Sequence, residues 1–241
     1  GEVRGDRDRG RGVFKGLRSG ADMHSRRFMP ALREVPWRGV RETRVHGASA
    51  PQEGTEGPGN EDCLFLNVFT PALGDGAKRP ILFYIHGGGY NNGSGSSPLY
   101  DGVNLCRRGD VVVVTVNHRL NAFGYLYLAE LGGDDLQWSG NVGQLDLVQA
   151  LHWVREHAHE FGGDAGNVTV FGQSGGGAKI ATLMAMPAAA GLFHRAMTMS
   201  GQQVTAAGPR AATQRTRLLL DALEIAPHAL DRLRVVPMEK I

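Results

Sequence analysis

The chain has 241 residues, with 26 Lys and Arg against 24 Asp and Glu and a formal net charge of +2. This is length enough for one large domain or two small ones around a sizeable core. An apolar share of 41% against 21% charged excludes wholesale disorder. The basic start, Arg4 to Arg11, is interleaved with Asp6 and Asp8, so no concentrated basic stripe exists and nucleic acid is not an expected partner. No apolar run approaches the ~20 residues that cross a bilayer, and the first residues lack the charged-then-apolar pattern of a leader. Two cysteines, Cys63 and Cys106, make neither a disulfide framework nor a metal set. The expectation is a soluble cytoplasmic protein with no membrane association, no cofactor and no metal. Glycine is the outlier, 35 residues or roughly twice the usual share, clustered in short loops.

In chain order, residues 1–60 are rich in Arg, Gly and Pro with weak periodicity, and read as short strands and irregular loops, 50–60 being a loop. Residues 64–70 read as a strand. A second, 81–85, ends in His86-Gly87-Gly88-Gly89. Residues 111–117 are apolar on both sides, as in a strand buried on both faces of a parallel sheet. Val142, Leu145, Val148, Leu151 and Val154 recur at helical spacing, and Gly162-Gly163 ends that helix. A short strand, 168–171, runs into Gly172-Gln173-Ser174-Gly175-Gly176. A helix of small residues, 178–186, stops at Pro187. Residues 196–199 read as a further strand, and 211–223 and 228–234 as helices. Strands alternating with helices imply an α/β protein, a mostly parallel sheet with helices on both faces. Ligands of such sheets sit at the carboxyl ends of the strands, where both glycine clusters fall.

Gly172-Gln173-Ser174-Gly175-Gly176 fits G-x-S-x-G. Glycines two before and two after the serine permit a strained strand-to-helix turn that lifts Oγ above the sheet, and the N–H after the serine then faces a developing oxyanion. In a glycine-rich chain the bare pattern also fits a turn capped by serine. A strand before it and a helix after it favour the nucleophile. His86-Gly87-Gly88-Gly89, taken alone, is as well explained by a tight turn at a strand end. Its consecutive glycines can also leave backbone N–H groups open to a pocket. Acyl transfer needs both a nucleophile and a second set of donors, so the two motifs support one another.

Glu61-Asp62-Cys63-Leu64-Phe65-Leu66-Asn67-Val68, the glycine loop with Tyr90, Asn117-His118-Arg119-Leu120, Phe123-Gly124-Tyr125-Leu126 and Gly140-Asn141-Val142-Gly143-Gln144-Leu145-Asp146 follow one another in family order around the serine motif. Together they resemble the type-B carboxylesterase/cholinesterase family, in its bacterial para-nitrobenzyl esterase branch. The resemblance implies an α/β-hydrolase fold, with residues 1–241 as the N-terminal part of a single domain. It implies Ser174 as nucleophile and the N–H groups of Gly88, Gly89 and Gly175 as the oxyanion hole. Ser200 matches a buried serine that supports the triad acid. Arg119 and Asp146, like Arg44 and Glu61, match positions read here as fold-stabilising ion pairs. A small-molecule ester is the implied substrate.

The sequence departs from the family in one large respect. The triad acid and histidine lie far downstream of the serine in the family, whereas the residues after Ser174 offer only Asp221, Glu224, Asp231 and Glu239 with His194 and His228, none in a Gly-x-x-His-Gly context. His152, His157 and His159 read as helix residues, and His86 as a brace for the glycine loop. The acid and histidine are therefore expected beyond residue 241, in a C-terminal half or a second chain that completes the fold. The competing expectation is a non-catalytic binding or adhesion protein, or an inert fragment, on the same fold. Gln173 and Gly175 stand where Glu and Ala are commonest in the family, and Cys63 lacks the upstream cysteine it often pairs with, which makes it a free buried thiol.

Overall fold

The computed structural model describes residues 1–54, 57, 59–203 and 205–241; of the expected 50–60 loop, Thr55, Glu56 and Pro58 lie outside the described residues. The strands are β1 (Glu2–Arg4), β2 (Asp6–Asp8), β3 (Arg11–Arg18), β4 (Val40–Glu42), β5 (Phe65–Thr70), β6 (Arg79–Ile85), β7 (Val112–Val116), β8 (Gly163–Gln173) and β9 (Arg195–Met199). The helices are α1 (Val103–Gly109), α2 (Asn121–Tyr125), α3 (Ala129–Gly132), α4 (Val142–His157), α5 (Gly175–Ala185) and α6 (Pro209–Ala222). Among the described residues no helix is long and apolar enough to cross a membrane.

Seven strands form one sheet in the order β2-β3-β5-β7-β6-β8-β9, while β1 pairs separately with β4. The pairs β2–β3, β3–β5 and β5–β7 are antiparallel, and β7–β6, β6–β8 and β8–β9 are parallel. The sheet is thus mixed rather than mostly parallel. β2 turns back directly into β3 through Arg9 and Gly10 at positive φ, whereas the parallel strands need crossover connections, which run through α1, α4 and α5.

Val-Val-Val-Thr-Val in β7 is buried at every position, as a β-branched run between two covered faces should be. On one face Val112, Val114 and Val116 join Ile81, Phe83 and Ile85 against Leu147, Leu151 and Val154 of α4 and Ile180 and Leu183 of α5. On the other, Val113 and Phe69 pack against Val103 and Cys106 of α1. Helices therefore cover both faces, as expected. Each fully buried aliphatic side chain contributes about 1.5–3 kcal/mol, so these two layers hold the sheet.

Two expected elements differ. The 168–171 strand is the second half of the eleven-residue β8, which starts at Gly163 beside Arg79. The 228–234 helix is a 3-10 turn, Leu230–Arg234, whose Leu233 enters a satellite core with Phe28 and Leu220.

Candidate active site

Parallel strands deliver their carboxyl ends to one edge. Ile85 of β6 lies in register with Gly172 of β8, and Gln173 of β8 with Met199 of β9. The residues that follow β7, β6, β8 and β9 are Asn117-His118, His86 to Gly89, Ser174 and Ser200, so one rim carries both glycine motifs and both serines. Ser174 sits between β8 and α5 at φ 54, ψ −122, outside the ordinary regions for a non-glycine residue. The turn is held by Ser174 N–H donating to Met199 O at 2.7 Å and Ala178 N–H donating to Ser174 O at 3.1 Å. It closes because its glycines carry no Cβ: one on Gly172 would lie 2.5 Å from the Ile85 oxygen, and one on Gly176 would overlap the same atom. Ser174 is half-buried at the top of this turn.

The glycine loop packs directly on the elbow. A Cβ on Gly87 would meet the Gln173 oxygen at 2.9 Å, and one on Gly175 would overlap the Gly89 carbonyl. Gly88 and Gly89 take φ of 85° and 62°, which side chains other than glycine rarely adopt. Successive carbonyls of the loop are tied back into the protein. Gly87 O accepts from His86 Nδ1 at 2.9 Å, which fixes the proton on that nitrogen. Gly88 O accepts from the N–H groups of Asn91 and Asn92, and Tyr90 O from Asn121 N–H at 2.6 Å. Gly89 O accepts from Lys179 Nζ at 2.7 Å. Among the described residues the N–H groups of Gly88, Gly89 and Gly175 donate to no backbone acceptor in a turn, loop or cap.

Behind the loop lies a buried polar layer. The His86 and His118 ring centroids lie 4.6 Å apart, their planes tilted by 31°. Burial first, and the nearby charge of Lys179 second, press His86 down to about 3; the same causes, with His86 added, hold His118 well below its ordinary value. Both are neutral imidazoles. Lys179 is fully buried, and desolvation brings it down to about 7. Sequence reasoning missed this residue. Its signal was a lone charge in a helix of small and apolar residues.

Among the described residues no histidine is hydrogen-bonded to Ser174. His46 is paired with Asn67, His194 with Val168 N–H, and His24, His152 and His159 with Asp22, Arg155 and Glu160. His157 leans on Trp153. Ser200, expected to be buried, is exposed, because β9 is the sheet edge and the described residues leave that end uncovered. It shares the positive φ of Ser174, at 54°, and the following Gly201 packs against the Ser174 carbonyl.

All four residues expected in ion pairs are in one, though not as two mutual pairs. Arg119 and Asp146 meet at 2.6 and 2.8 Å in full burial. Glu61 instead binds Arg27 through both carboxylate oxygens, while Arg44 lies at the surface with Asp6 and Glu42. Cys63 is a free buried thiol whose proton burial retains. Among the described residues no group of three His, Cys, Asp or Glu is placed to hold a metal ion.

A strained serine elbow at the carboxyl end of a parallel strand, with a second glycine loop on the neighbouring strand, is the arrangement of the α/β-hydrolase fold. The structure superposes on a Geobacillus stearothermophilus carboxylesterase with a TM-score of 0.95 at 43% identity, over 99% of this chain and 50% of that one. The chain belongs to the carboxylesterase family, whose profile matches residues 1–230. It is 40% identical to the para-nitrobenzyl esterase of Bacillus subtilis (strain 168) over 100% of this chain and 50% of that protein. It is 39% identical to a phenmedipham hydrolase of Pseudarthrobacter oxydans over 89% and 44%. The chain spans about half the length of these relatives.

Proposed function

We propose that the protein carrying these residues hydrolyses small carboxylic esters through an acyl-enzyme on Ser174. The observation that carries this reading is the contact of the two glycine motifs: Gly89 packs on Gly175, one residue past a serine held at φ 54. In the proposed reaction Ser174 Oγ attacks the ester carbonyl carbon, and the N–H groups of Gly88, Gly89 and Gly175 take up the charge on its oxygen. The alcohol leaves, and water then releases the acid from the serine. A histidine and an acid outside residues 1–241 supply the proton transfers, since among the described residues no histidine is hydrogen-bonded to Ser174. The second half of the fold covers β9, whose Met197 is 54% exposed, and Ser200 then supports the triad acid from the strand's end.

A fluorophosphonate probe tests this in the full-length protein. Labelling at Ser174, lost in Ser174→Ala together with turnover of p-nitrophenyl esters, is the expected result. A folded, unlabelled protein overturns the proposal and leaves a binding protein on an esterase fold.

A further inference from the structure

The glycine loop has two consecutive residues at positive φ and no side chains of its own to fix it. Its geometry therefore rests on what holds its carbonyls. Two of its four ties are local, made by His86 and by Asn91 and Asn92, and a third comes from Asn121 at the start of α2. The fourth is the one made from the nucleophile's own helix. Lys179 lies on α5, beyond the serine elbow, and reaches back to the Gly89 carbonyl at 2.7 Å, with its ammonium 5.0 Å from the centre of the Tyr90 ring. That carbonyl occupies the space a Cβ at position 175 would fill.

From this we infer that Lys179 is a positioning residue for the proposed ester hydrolysis, which draws the Gly89 carbonyl onto the nucleophile elbow in the gap left by Gly175 and so sets the spacing between the loop and Ser174. The inference deepens the ester-hydrolase reading and rests on it. A buried lysine without an ion-pair partner needs a reason to be there. No carboxylate faces it among the described residues; its charged or titratable neighbours are His86 at the end of β6 and His118 after β7, both neutral, and its carbonyl and π-face contacts are all it has. An Nζ–H donates to the carbonyl with or without a charge on the amine, so a single such tie can fix a loop built of glycine. Gly175 and Lys179 then work as a pair. Alanine at 175 would push out the carbonyl that the lysine pulls in.

The test compares wild type, Lys179→Met, Gly175→Ala and the double variant in the full-length protein. It uses p-nitrophenyl butyrate turnover per fluorophosphonate-titrated site and amide hydrogen exchange over residues 86–92. A displacement of about 1 Å at such a site costs on the order of 100-fold. Lys179→Met is expected to lower kcat per titrated site by about that factor, with KM within about threefold and faster exchange in the loop. Gly175→Ala is expected to do the same with the lysine present, and the double variant to be no worse than either. Fewer titrated sites with unchanged kcat per site marks a purely structural lysine and overturns the inference, as does unchanged exchange over 86–92. If Lys179→Met does not fold, Gly175→Ala decides by the same two measurements. If wild type neither labels nor turns over, the ester-hydrolase reading falls, and this inference falls with it.

Discussion

Arg119 and Asp146 show how much a single pair can carry. The guanidinium meets both carboxylate oxygens, the Arg119 N–H adds a third bond at 3.0 Å, and Nη1 reaches the Met29 carbonyl at 2.8 Å. The pair links the segment after β7, the start of α4 and the N-terminal region. Removing one partner of a buried pair leaves an uncompensated charge, at a cost of about 3–5 kcal/mol. Asp146→Asn is therefore expected to lower the stability of the protein by that amount in urea unfolding; a loss under about 1 kcal/mol would show that Arg119 finds another partner. This pair was legible because both residues stand in recognisable blocks. The partner of Glu61 was not. Arg27 lies in the Arg-rich first 60 residues, where six other arginines precede it and spacing selects none of them. The exposure of Ser200 in these residues was not legible for a different reason: burial depends on what covers a strand end, which no local pattern states.

At the scale of elements, α5 sits against β6 and β8 at glycine distance. Gly172 and Gly176 both abut the Ile85 carbonyl, so strand, elbow and helix meet at one backbone atom. Alanine at 176 adds one methyl to a gap that holds none, and overpacking of this kind costs about 1–3 kcal/mol. Gly176→Ala is expected to lower the thermal midpoint and to slow fluorophosphonate labelling of Ser174, since relief requires α5 to slide and carry the elbow with it. Unchanged labelling would mean that the helix shifts alone. The elements of this region were readable because period and punctuation agree: apolar strands end in glycine motifs, and a helical run ends in Gly162 at φ 72. β3 was not readable as an eight-residue sheet strand. Its register shifts between Phe14 and Leu17, where Gly16 takes φ 67 and donates to Asn67 Oδ1, so the two-residue alternation that marks a strand is broken in the middle.

The molecule as a whole carries a pH dependence in the polar layer under its glycine loop. His86 is held at about 3 and His118 well below its ordinary value, both by burial first. In the unfolded chain each returns to roughly 6.5. Above that value both states are neutral and neither histidine affects stability. As pH falls through it, the unfolded chain takes up two protons that the folded chain refuses, so stability is lost with falling pH and goes on being lost toward the folded value of His86. Two protons give a slope approaching about 3 kcal/mol per pH unit below roughly pH 5.5. Lys179, at about 7 when folded against roughly 10.4 unfolded, acts with the same sign at higher pH, its share being lost as pH falls from about 10 to 7. Urea midpoints measured from pH 7.5 to 4.5 are expected to fall steeply, and His118→Gln to remove about half of that slope. A flat profile would mean that the layer opens and admits protons without unfolding. In that case the floor beneath Gly88 and Gly89 is mobile, and the geometry of the loop is set by its own backbone ties rather than by the layer beneath it.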